Sequence, residues 1–576
     1  MPSTETGAAL RKKLKALWSD RRPFSQRLLL AALAMGAACF TLIFFGPFEN
    51  VAFGGNSMSY TYRDIWWILA LAALAVFAAG TLLICLLKGK VFNYCVSLVF
   101  SATVCSYLQA AFMNSSLGTL TGDAIDWQAL APEMLLNCLI WLAITTAVYF
   151  VLYLNKALWK KILIWGAVLL LVMQGASTAS IVLSGSRATS RYIFSDSGMY
   201  EFSSEDNIFV FVLDRMDYYF NINKILQDDP DFFEPLDGFT QYTNAVSAYA
   251  RTQPALNHLL TGSETAFSVS AKDFYADSWD EDGKHILEDL TAQDYSVEMY
   301  ATVGYLFSDM SYATKYVDNL TQTSQIKAGA LLKRLMNLTV YRHAPMALKP
   351  FFWADTTYYN TGVFHVNNVQ AYEYDDPTNM AGFVNSTADR AKNSFKFYHF
   401  NGSHPPYTMD EYGNACTEGS TGWKQTKGCF LHLFAAFERM KELGIYEDAT
   451  IIITADHGDA WDDKLPVQAA TLIGLFYKPS GSAGTPLVQS DAPVCTDNIS
   501  ATLAKAAGVA DYSAYGPALD DIAPDADVTR YYYKSLASDG WERTIYKYTI
   551  GTNAWDFPSW EVVEIIEDIP EKNSFY

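Results

Sequence analysis

The first third of the chain is dominated by long apolar runs. Five of them, each about 20 residues long, contain no Asp, Glu, Lys or Arg: Leu28–Phe45, Ile65–Leu87, Val91–Met113, Met134–Leu154 and Ile162–Leu183. A helix of roughly 20 residues spans a hydrocarbon core about 30 Å thick. A single run of this kind is also typical of a buried core helix, but five in succession predict an α-helical membrane domain with five transmembrane helices.

The pattern changes after the fifth run. Ser184–Asp206 is rich in Ser and Gly, which is typical of a linker, and from Asn207 onward short β-rich runs alternate with helical stretches. The predicted strands are Ile208–Leu213, Ser296–Ala301, Phe395–Phe400, Thr450–Ala455 and Leu472–Tyr477, and the predicted helices include Thr252–Thr261, Gln425–Leu443 and Thr496–Ala507. Nearly continuous apolar strands separated by helices predict an α/β domain with a mostly parallel central sheet covered on both faces.

The chain ends in a third pattern. From about Asp520, three runs rich in aromatic and β-branched residues, TRYYYKSLA, TIYKYTI and WEVVEII, predict a small C-terminal β element. The expected organisation is a basic tail over residues 1–27, the membrane domain over 28–183, the linker over 184–206, the main α/β domain over 207–515 and its β-rich extension over 516–576.

Charge is divided unevenly between these parts. The 576-residue chain has a net charge of −20, yet residues 1–183 hold 13 Lys and Arg against 7 Asp and Glu, a net +6, and the remainder holds 28 against 54, a net −26. A balance this acidic excludes nucleic acid as a partner, because phosphate backbones require a basic surface.

Basic residues beside the apolar runs predict the orientation in the membrane. They concentrate in the N-terminal tail and in the second and fourth loops: Arg11, Lys12, Lys13, Lys15, Arg21, Arg22, Arg27, Lys88, Lys90, Lys156, Lys160 and Lys161. Short loops rich in Lys and Arg stay in the cytoplasm. Because the number of spans is odd, we expect a multi-pass cell-membrane protein with a cytoplasmic N-terminus and an extracytoplasmic α/β domain.

Reactive polar residues follow the predicted strands. Asp214 comes directly after the first strand, Asn401-Gly402-Ser403-His404 after the third, and Asp456-His457-Gly458 after the fourth. In a mostly parallel sheet, chemistry gathers at the carboxyl ends of the strands. Thr252 lies just before an apparent helix start, where its hydroxyl faces unpaired backbone N–H groups and the positive end of the helix dipole.

These residues together form a candidate metal site. Two carboxylates, Asp214 and Asp456, and the imidazole of His457 suit zinc or manganese, with the Thr252 oxygen as a further ligand. Threonine is a poor nucleophile unless coordination makes its alkoxide accessible, so the set predicts attack by Thr252 on phosphorus and a covalent phosphothreonine. Taken singly, each residue also has a structural interpretation: a helix cap for Asp214 or Thr252, and a structural imidazole for His404.

Three segments carry a family resemblance. Asn207–Asp214 (NIFVFVLD), Thr252–Gly262 (TQPALNHLLTG) and Thr454–Gly458 (TADHG) resemble the signature segments of the sulfatase branch of the alkaline phosphatase superfamily. The middle segment aligns without a gap on the sulfatase pattern C-x-P-S-R-x-x-L-L-T-G and places Thr252 where sulfatases have the Cys or Ser that becomes formylglycine. The resemblance covers roughly Asn207–Gly508 and implies an alkaline phosphatase-like fold.

Thr252 separates this chain from the sulfatases themselves. Threonine cannot become formylglycine, and Leu256 replaces the Arg of the pattern, so sulfate-ester hydrolysis is disfavoured. A threonine at this position, in a chain with five spans, resembles lipoteichoic acid synthases, related phosphoglycerol transferases and lipid A phosphoethanolamine transferases.

The resemblance implies a role for each candidate residue. It implies Asp214, Thr252, Asp456 and His457 as metal ligands. It also implies His404, in GSHPPY, as the group that holds the substrate phosphate or protonates a leaving oxygen.

Two departures from the transferase pattern bear on the metal. Those transferases usually have Glu at the first metal position, where this chain has Asp214, and Arg215 follows in place of a second Asp. No pattern for a second metal is evident, so we expect one divalent ion, with Mn²⁺ favoured and Zn²⁺ or Mg²⁺ as alternatives. Arg215 is expected to be either a phosphate contact or a surface charge.

The expected function combines the anchor and the site. An anchored domain meets lipid headgroups at high effective concentration. We therefore expect a transferase that moves a phospholipid headgroup phosphate, glycerophosphate in preference to phosphoethanolamine, onto an envelope glycan or polymer. The alternatives are a sulfatase-like membrane hydrolase acting on a phosphodiester or sulfate ester, and a non-catalytic relative that binds the envelope.

Overall fold

The computed structural model describes residues 22–53, 58, 60–117, 125–184, 192–262, 278–279, 286–307, 310–322, 325–352, 362–365, 371–459, 471–538 and 541–567. Residues 1–21 of the predicted basic tail and 185–191 of the predicted linker lie outside the described residues. The chain forms two compact units: Met1–Thr189 with Ile326–His365, hereafter the membrane unit, and Ser190–Gln325 with Val366–Tyr576, hereafter the α/β unit.

Within the described residues of the membrane unit, five helices are long and apolar enough to cross a bilayer. They are Phe24–Ala52, Tyr62–Leu86, Gly89–Phe112, Ala131–Leu154 and Lys156–Leu183. The first contains a π-helical stretch, Phe40–Phe45, and the second begins with a capping box in which the Asp64 carboxylate accepts a hydrogen bond from the Thr61 N–H at 3.0 Å. Each helix coincides with one predicted run to within seven residues at either end, so the prediction of five candidate membrane helices is confirmed.

A sixth long helix of the membrane unit comes from much later in the chain. Helix Ala328–His343 buries leucines at a spacing of four and three residues, which places them on one face. That face forms a hydrophobic cluster with side chains of the first two spans, whose members include Leu331, Leu335, Leu338, Phe48, Val51, Ile65 and Leu69. Ile326–His365 therefore interrupts the range 207–515 predicted for the α/β domain.

The described chain contains these strands: β1 Tyr192–Phe194, β2 Glu201–Ser203, β3 Asn207–Leu213, β4 Thr240–Tyr242, β5 Tyr295–Tyr300, β6 Leu320–Gln322, β7 Gln325–Ile326, β8 Phe364–His365, β9 Thr387–Arg390, β10 Asn393–Phe400, β11 Thr450–Thr454, β12 Leu475–Lys478, β13 Val488–Ser490, β14 Arg530–Ser538, β15 Trp541–Ile550 and β16 Glu561–Ile566. The α-helices of the α/β unit are Asn223–Asp228, Thr252–Thr261, Ile286–Ala292, Val303–Leu306, Met310–Tyr316, Asp376–Ala381, Gly422–Glu442 and Asn498–Ala506.

A seven-stranded sheet forms the centre of the α/β unit, in the order β13-β4-β12-β11-β3-β10-β5. Its strands are parallel except β12, which runs antiparallel to both β11 and β4. The mostly parallel prediction is confirmed. The reversal of β12 was not predicted, because a strand buried on both faces has the same continuous apolar pattern in either direction.

Burial on both faces explains the apolar sequences of the central strands. Every residue of β3 is buried, and Phe211 stacks on Tyr398 of β10 with ring centroids 5.1 Å apart. Strands β14, β15 and β16 form a separate antiparallel sheet, which confirms the predicted C-terminal β element. Within the predicted linker, β1 and β2 join the α/β unit because Phe194 and Phe202 are buried in its core.

The turn after β10 requires glycine at position 402. Gly402 has a φ of 57°, and a Cβ there would lie 2.6 Å from the Asp214 backbone nitrogen. We expect Gly402→Ala to cost about 3 kcal/mol, which combines backbone strain with the collision. Gly444→Ala is the matched control, because Gly444 also has a positive φ, 74°, but a Cβ there meets nothing within 4 Å. Calorimetry should show a larger fall in Tm for Gly402→Ala; equal falls would contradict the collision.

Candidate metal centre

Neighbouring strands bring the candidate ligands together. Strands β3 and β11 are parallel and adjacent, so Asp214, directly after β3, lies beside Asp456 and His457, which follow β11. Helix Thr252–Thr261 contributes its first residue, Thr252. Ser247 supports this arrangement because its hydroxyl donates to the Asp456 carbonyl oxygen at 2.6 Å.

The four side chains have the spacing of ligands to one ion. Thr252 Oγ1 lies 3.3 Å from Asp214 Oδ2 and 3.4 Å from His457 Nε2. His457 Nε2 in turn lies 3.5 Å from Asp456 Oδ2 and 3.7 Å from Asp214 Oδ1. Ligands about 2.1 Å from a tetrahedral ion are about 3.4 Å apart. The cluster therefore fits a shared divalent cation.

Two buried carboxylate oxygens of the cluster lack hydrogen-bond partners within the described part of the chain. They are Asp214 Oδ1 and Asp456 Oδ2, in residues that are 6% and 0% exposed. A buried ionised oxygen without a partner is unfavourable, and two close together repel each other. A divalent cation compensates both, and the carboxylates, imidazole and hydroxyl suit zinc or manganese.

Backbone hydrogen bonds orient these ligands. His457 Nδ1 lies 2.8 Å from the Gly458 carbonyl oxygen, so it carries the proton and donates, and Nε2 presents its lone pair to the cluster. Asp456 Oδ1 accepts from the backbone N–H groups of His457 at 2.8 Å and Arg215 at 3.1 Å. The other oxygen of Asp456 is left for the cluster.

Thr252 is not a helix cap. The N-cap residue of its helix is Arg251, with a φ of −141°, and no side-chain hydrogen bond caps this end. The Thr252 hydroxyl instead lies against Asp214 and His457. The capping interpretation of Thr252 is therefore wrong.

The imidazoles around Asp214 keep it ionised. Burial opposes ionisation, but His404, His399 and His457 together outweigh it and hold the pKa of the Asp214 carboxyl well below its ordinary value. Asp214 therefore stays a carboxylate, the form that binds a cation.

Arg215 is buried and supports the cluster. Its side chain is 5% exposed, and Nη2 lies 2.6 Å from Asp459 Oδ1, while the Asp459 N–H donates to Asp217 Oδ2 at 3.0 Å. A φ of 58°, unusual for a residue other than glycine, directs the Arg215 N–H to Asp456. Arg215 is thus not a surface charge, and a phosphate contact by its guanidinium stays a prediction.

His404 lies in the turn after β10, close enough to Asp214 to lower its pKa. His404 Nδ1 lies 2.5 Å from the Pro405 carbonyl oxygen and donates to it, which leaves Nε2 for proton exchange with a ligand. The Asn401 side chain donates to the His404 carbonyl oxygen at 2.6 Å, and the Ser403 N–H donates to the Asp214 carbonyl oxygen at 2.7 Å. The first bond orders the turn itself, and the second holds the turn against the ligand-bearing end of β3.

His399 belongs to the same site and was missed in the sequence. Its Nε2 lies 3.5 Å from Asp214 Oδ2, and its Nδ1 lies 2.7 Å from the Tyr374 hydroxyl. Burial raises the pKa of Tyr374 well above its ordinary value, so the phenol keeps its proton and is available to donate to Nδ1. The proton of His399 is then on Nε2, facing Asp214. The available signal was an imidazole inside the largely apolar strand FKFYHF.

Tyr374→Phe should weaken metal binding. Without the phenol, His399 no longer favours the tautomer that faces Asp214, and changes of this kind reduce metal affinity roughly 10-fold. Competition with a chromogenic chelator on the full-length protein measures the affinity. Tyr372→Phe is the matched control, because the Tyr372 hydroxyl donates to the His399 backbone carbonyl at 2.7 Å instead of to the ring. The same loss in both variants would indicate general loosening of β10.

The chain is similar to several solved structures. They include the PsFucS1 sulfatase from Pseudoalteromonas sp., at a TM-score of 0.36 and 13% identity, covering 62% of this chain and 81% of that chain. The phosphonate monoester hydrolase SpPMH from Silicibacter pomeroyi gives 0.34 and 11%, covering 64% and 90%. A protein in the alkaline phosphatase superfamily from Vibrio parahaemolyticus gives 0.34 and 12%, covering 66% and 86%.

No family model matches the chain, and no curated protein matches it in sequence. The similarities to solved structures are low in both identity and TM-score and assign no function.

Proposed function

We propose that the protein is a membrane-anchored, metal-dependent phosphotransferase that moves a phospholipid headgroup phosphate onto an acceptor hydroxyl, with Thr252 as the nucleophile. The observation that carries the proposal is the position of the Thr252 hydroxyl, 3.3 Å from Asp214 and 3.4 Å from His457. The hydroxyl is used neither as a helix cap nor in a bond to the backbone of its own helix, and it shares the cluster with three further metal-ligand side chains.

The first half of the reaction transfers the phosphoryl group to Thr252. The hydroxyl loses its proton to solvent, and Oγ1 attacks the phosphorus. The bond from phosphorus to the glyceride oxygen breaks, and His404, protonated at Nε2, gives that oxygen its proton. The products of this step are diacylglycerol and a phosphothreonine that carries the headgroup.

The second half releases the headgroup phosphate to the acceptor. His404 Nε2 takes the proton of the acceptor hydroxyl, whose oxygen attacks the phosphothreonine. The bond from phosphorus to Thr252 breaks, Thr252 Oγ1 takes a proton back from solvent, and the acceptor leaves with the headgroup phosphate.

The surrounding residues hold the reacting groups for both steps. A divalent ion held by Asp214, Thr252, Asp456 and His457 would supply Lewis-acid activation of the hydroxyl and neutralise phosphoryl charge. The positive end of the Thr252–Thr261 helix dipole also stabilises the negative charge of the phosphoryl group.

The membrane spans indicate the class of donor, a phospholipid. Five spans keep the reacting domain close to lipid headgroups, and the basic tail and even loops favour an extracytoplasmic α/β unit. Glycerophosphate is favoured as the headgroup because of the motif resemblance. The proposed acceptor is an envelope glycan or polymer. The net charge of −26 after residue 183 repels an anionic donor, so phosphatidylglycerol should bind only with the divalent ion present.

Intact mass measurement tests the proposal. Full-length protein in nanodiscs is incubated with Mn²⁺ and either phosphatidylglycerol or phosphatidylethanolamine. We expect one glycerophosphoryl group per chain and released diacylglycerol with the first lipid. An adduct with the second lipid alone would change the donor to phosphoethanolamine. Continuous diacylglycerol release without an added acceptor would identify a hydrolase. Turnover of a sulfate ester without any phosphoryl adduct would overturn the mechanism.

His404→Gln should separate proton transfer from metal binding. The variant loses the group that serves the leaving and attacking oxygens, which lowers turnover by about 10²- to 10³-fold. Metal analysis should still find one ion per chain. Loss of the ion from this variant would instead make His404 a ligand.

A further inference from the structure

The membrane unit contains a short segment with inverted surface polarity. After helix Ala328–His343 the chain forms a 3₁₀ helix, Met346–Phe351, hereafter the 346–351 turn. Lys349 is fully buried, whereas Leu348 and Phe351 are 46% and 79% exposed. A turn that faces water has the opposite arrangement, because Lys is rarely buried and Phe and Leu often are.

Hydrogen bonds explain why Lys349 is inside. Its ammonium donates to the carbonyl oxygens of Tyr341 and Arg342, the latter at 3.2 Å, at the C-terminal end of helix Ala328–His343. The negative end of a helix dipole stabilises a cation there. The turn therefore presents only apolar side chains outward: Ala347, Leu348, Pro350 and Phe351.

Contacts at three span ends place this turn along the helix bundle. Arg342 Nη1 lies 2.8 Å from Glu49 Oε2 near the end of the first span, and Asn114, just past the third, donates to the Arg342 carbonyl at 2.9 Å. Asn137, near the start of the fourth span, accepts from the Met346 N–H at 2.9 Å. These contacts bring together the ends of the first and third spans and the start of the fourth, as expected of spans that alternate in direction. The turn lies beside these span ends.

We propose that the 346–351 turn is a lipid-contacting wedge, in which Leu348 and Phe351 insert among the acyl chains of the leaflet at this end of the bundle. Lipid is the expected partner of the turn because the turn adjoins the exposed apolar surface of the spans. Leu135 and Leu136, which precede Asn137 in the fourth span, are 64% and 60% exposed and belong to a surface that lipid covers. The insertion Ile326–His365 thereby contacts the bilayer directly. This contact does not depend on catalysis.

Photo-crosslinking tests the wedge in the full-length protein. p-Benzoylphenylalanine replaces Phe351, and irradiation follows in nanodiscs that contain labelled phospholipid. Leu83, in the second span and 65% exposed, is the position for the positive control, and Val488, on β13 of the α/β unit and 57% exposed, is that for the negative control. Because all three side chains are exposed, the replacements leave the packing intact.

We expect the yield of lipid adduct at position 351 to approach the yield at position 83. It should exceed the yield at position 488 severalfold. A yield at 351 no higher than at 488 would overturn the proposal. A predominant crosslink from 351 to protein, whether to a second copy or within the chain, would overturn it as well. A catalytically inactive Thr252→Ala protein should give the same pattern, so this result does not depend on the proposed reaction.

Discussion

Thr252→Ala is expected to abolish the phosphoryl adduct and to lower turnover by roughly 10³-fold or more, because the variant lacks the atom that attacks phosphorus. Asp214, Asp456 and His457 are unchanged, so the ion should still bind, with reduced affinity. Intact mass after incubation with phosphatidylglycerol, and metal content of the same sample, measure both effects.

Thr252→Ser separates the nucleophile from the shape of the side chain. Serine keeps the hydroxyl and loses only the methyl group, so the adduct should form again on residue 252. A full-size adduct on the Thr252→Ala protein would place the covalent bond elsewhere. Unchanged turnover in Thr252→Ala would remove the covalent mechanism altogether.

Asp456→Asn should remove metal and activity together. The amide oxygen can still accept the Arg215 and His457 N–H groups, as Oδ1 does at 3.1 and 2.8 Å, while an amide nitrogen replaces the oxygen that faces the cluster. The expected loss of metal therefore results from the missing ligand oxygen, because the hydrogen bonds that orient the side chain are kept. We expect metal affinity to fall by more than about 100-fold, the upper end for changes outside the ligand set. Elemental analysis after dialysis measures the bound metal.

Asp459→Asn is the matched control for this prediction. Asp459 lies three residues further along, and its carboxylate pairs with the Arg215 guanidinium instead of facing the cluster. It should retain the ion. Stoichiometric metal in Asp456→Asn would show that the ligand assignment is wrong, and loss from both variants would point to collapse of the loop.

Local pattern was sufficient to predict most of the fold. The spans have no charged residues over about 20 positions, and the central strands are buried on both faces, so each produced a long uninterrupted signal. The membrane packing of helix Ala328–His343 was not predicted, because an amphipathic helix has the same periodicity whether it covers a sheet or a bundle of spans. Its leucine face does not specify a partner.

The ligand cluster was predictable because its members follow strands that end at one edge. Asp214 and Asp456 needed only the rule that parallel strands share a carboxyl edge. His399 and the support by Arg215 were not predictable in this way. Their roles depend on which ring nitrogen Tyr374 contacts and on a left-handed backbone at residue 215, and neither follows from residue type or spacing.

The return of the chain to the membrane unit determines how the α/β unit is released by proteases. A single cut between Ser184 and Tyr192 removes one covalent link, but the chain still enters the membrane unit at Ile326 and leaves it after His365. Shedding a soluble fragment therefore requires further cuts on both sides of Ile326–His365, which would divide the remaining α/β chain in two. A domain connected in this way stays attached to the membrane unit after a single cut that would free a domain joined by one linker.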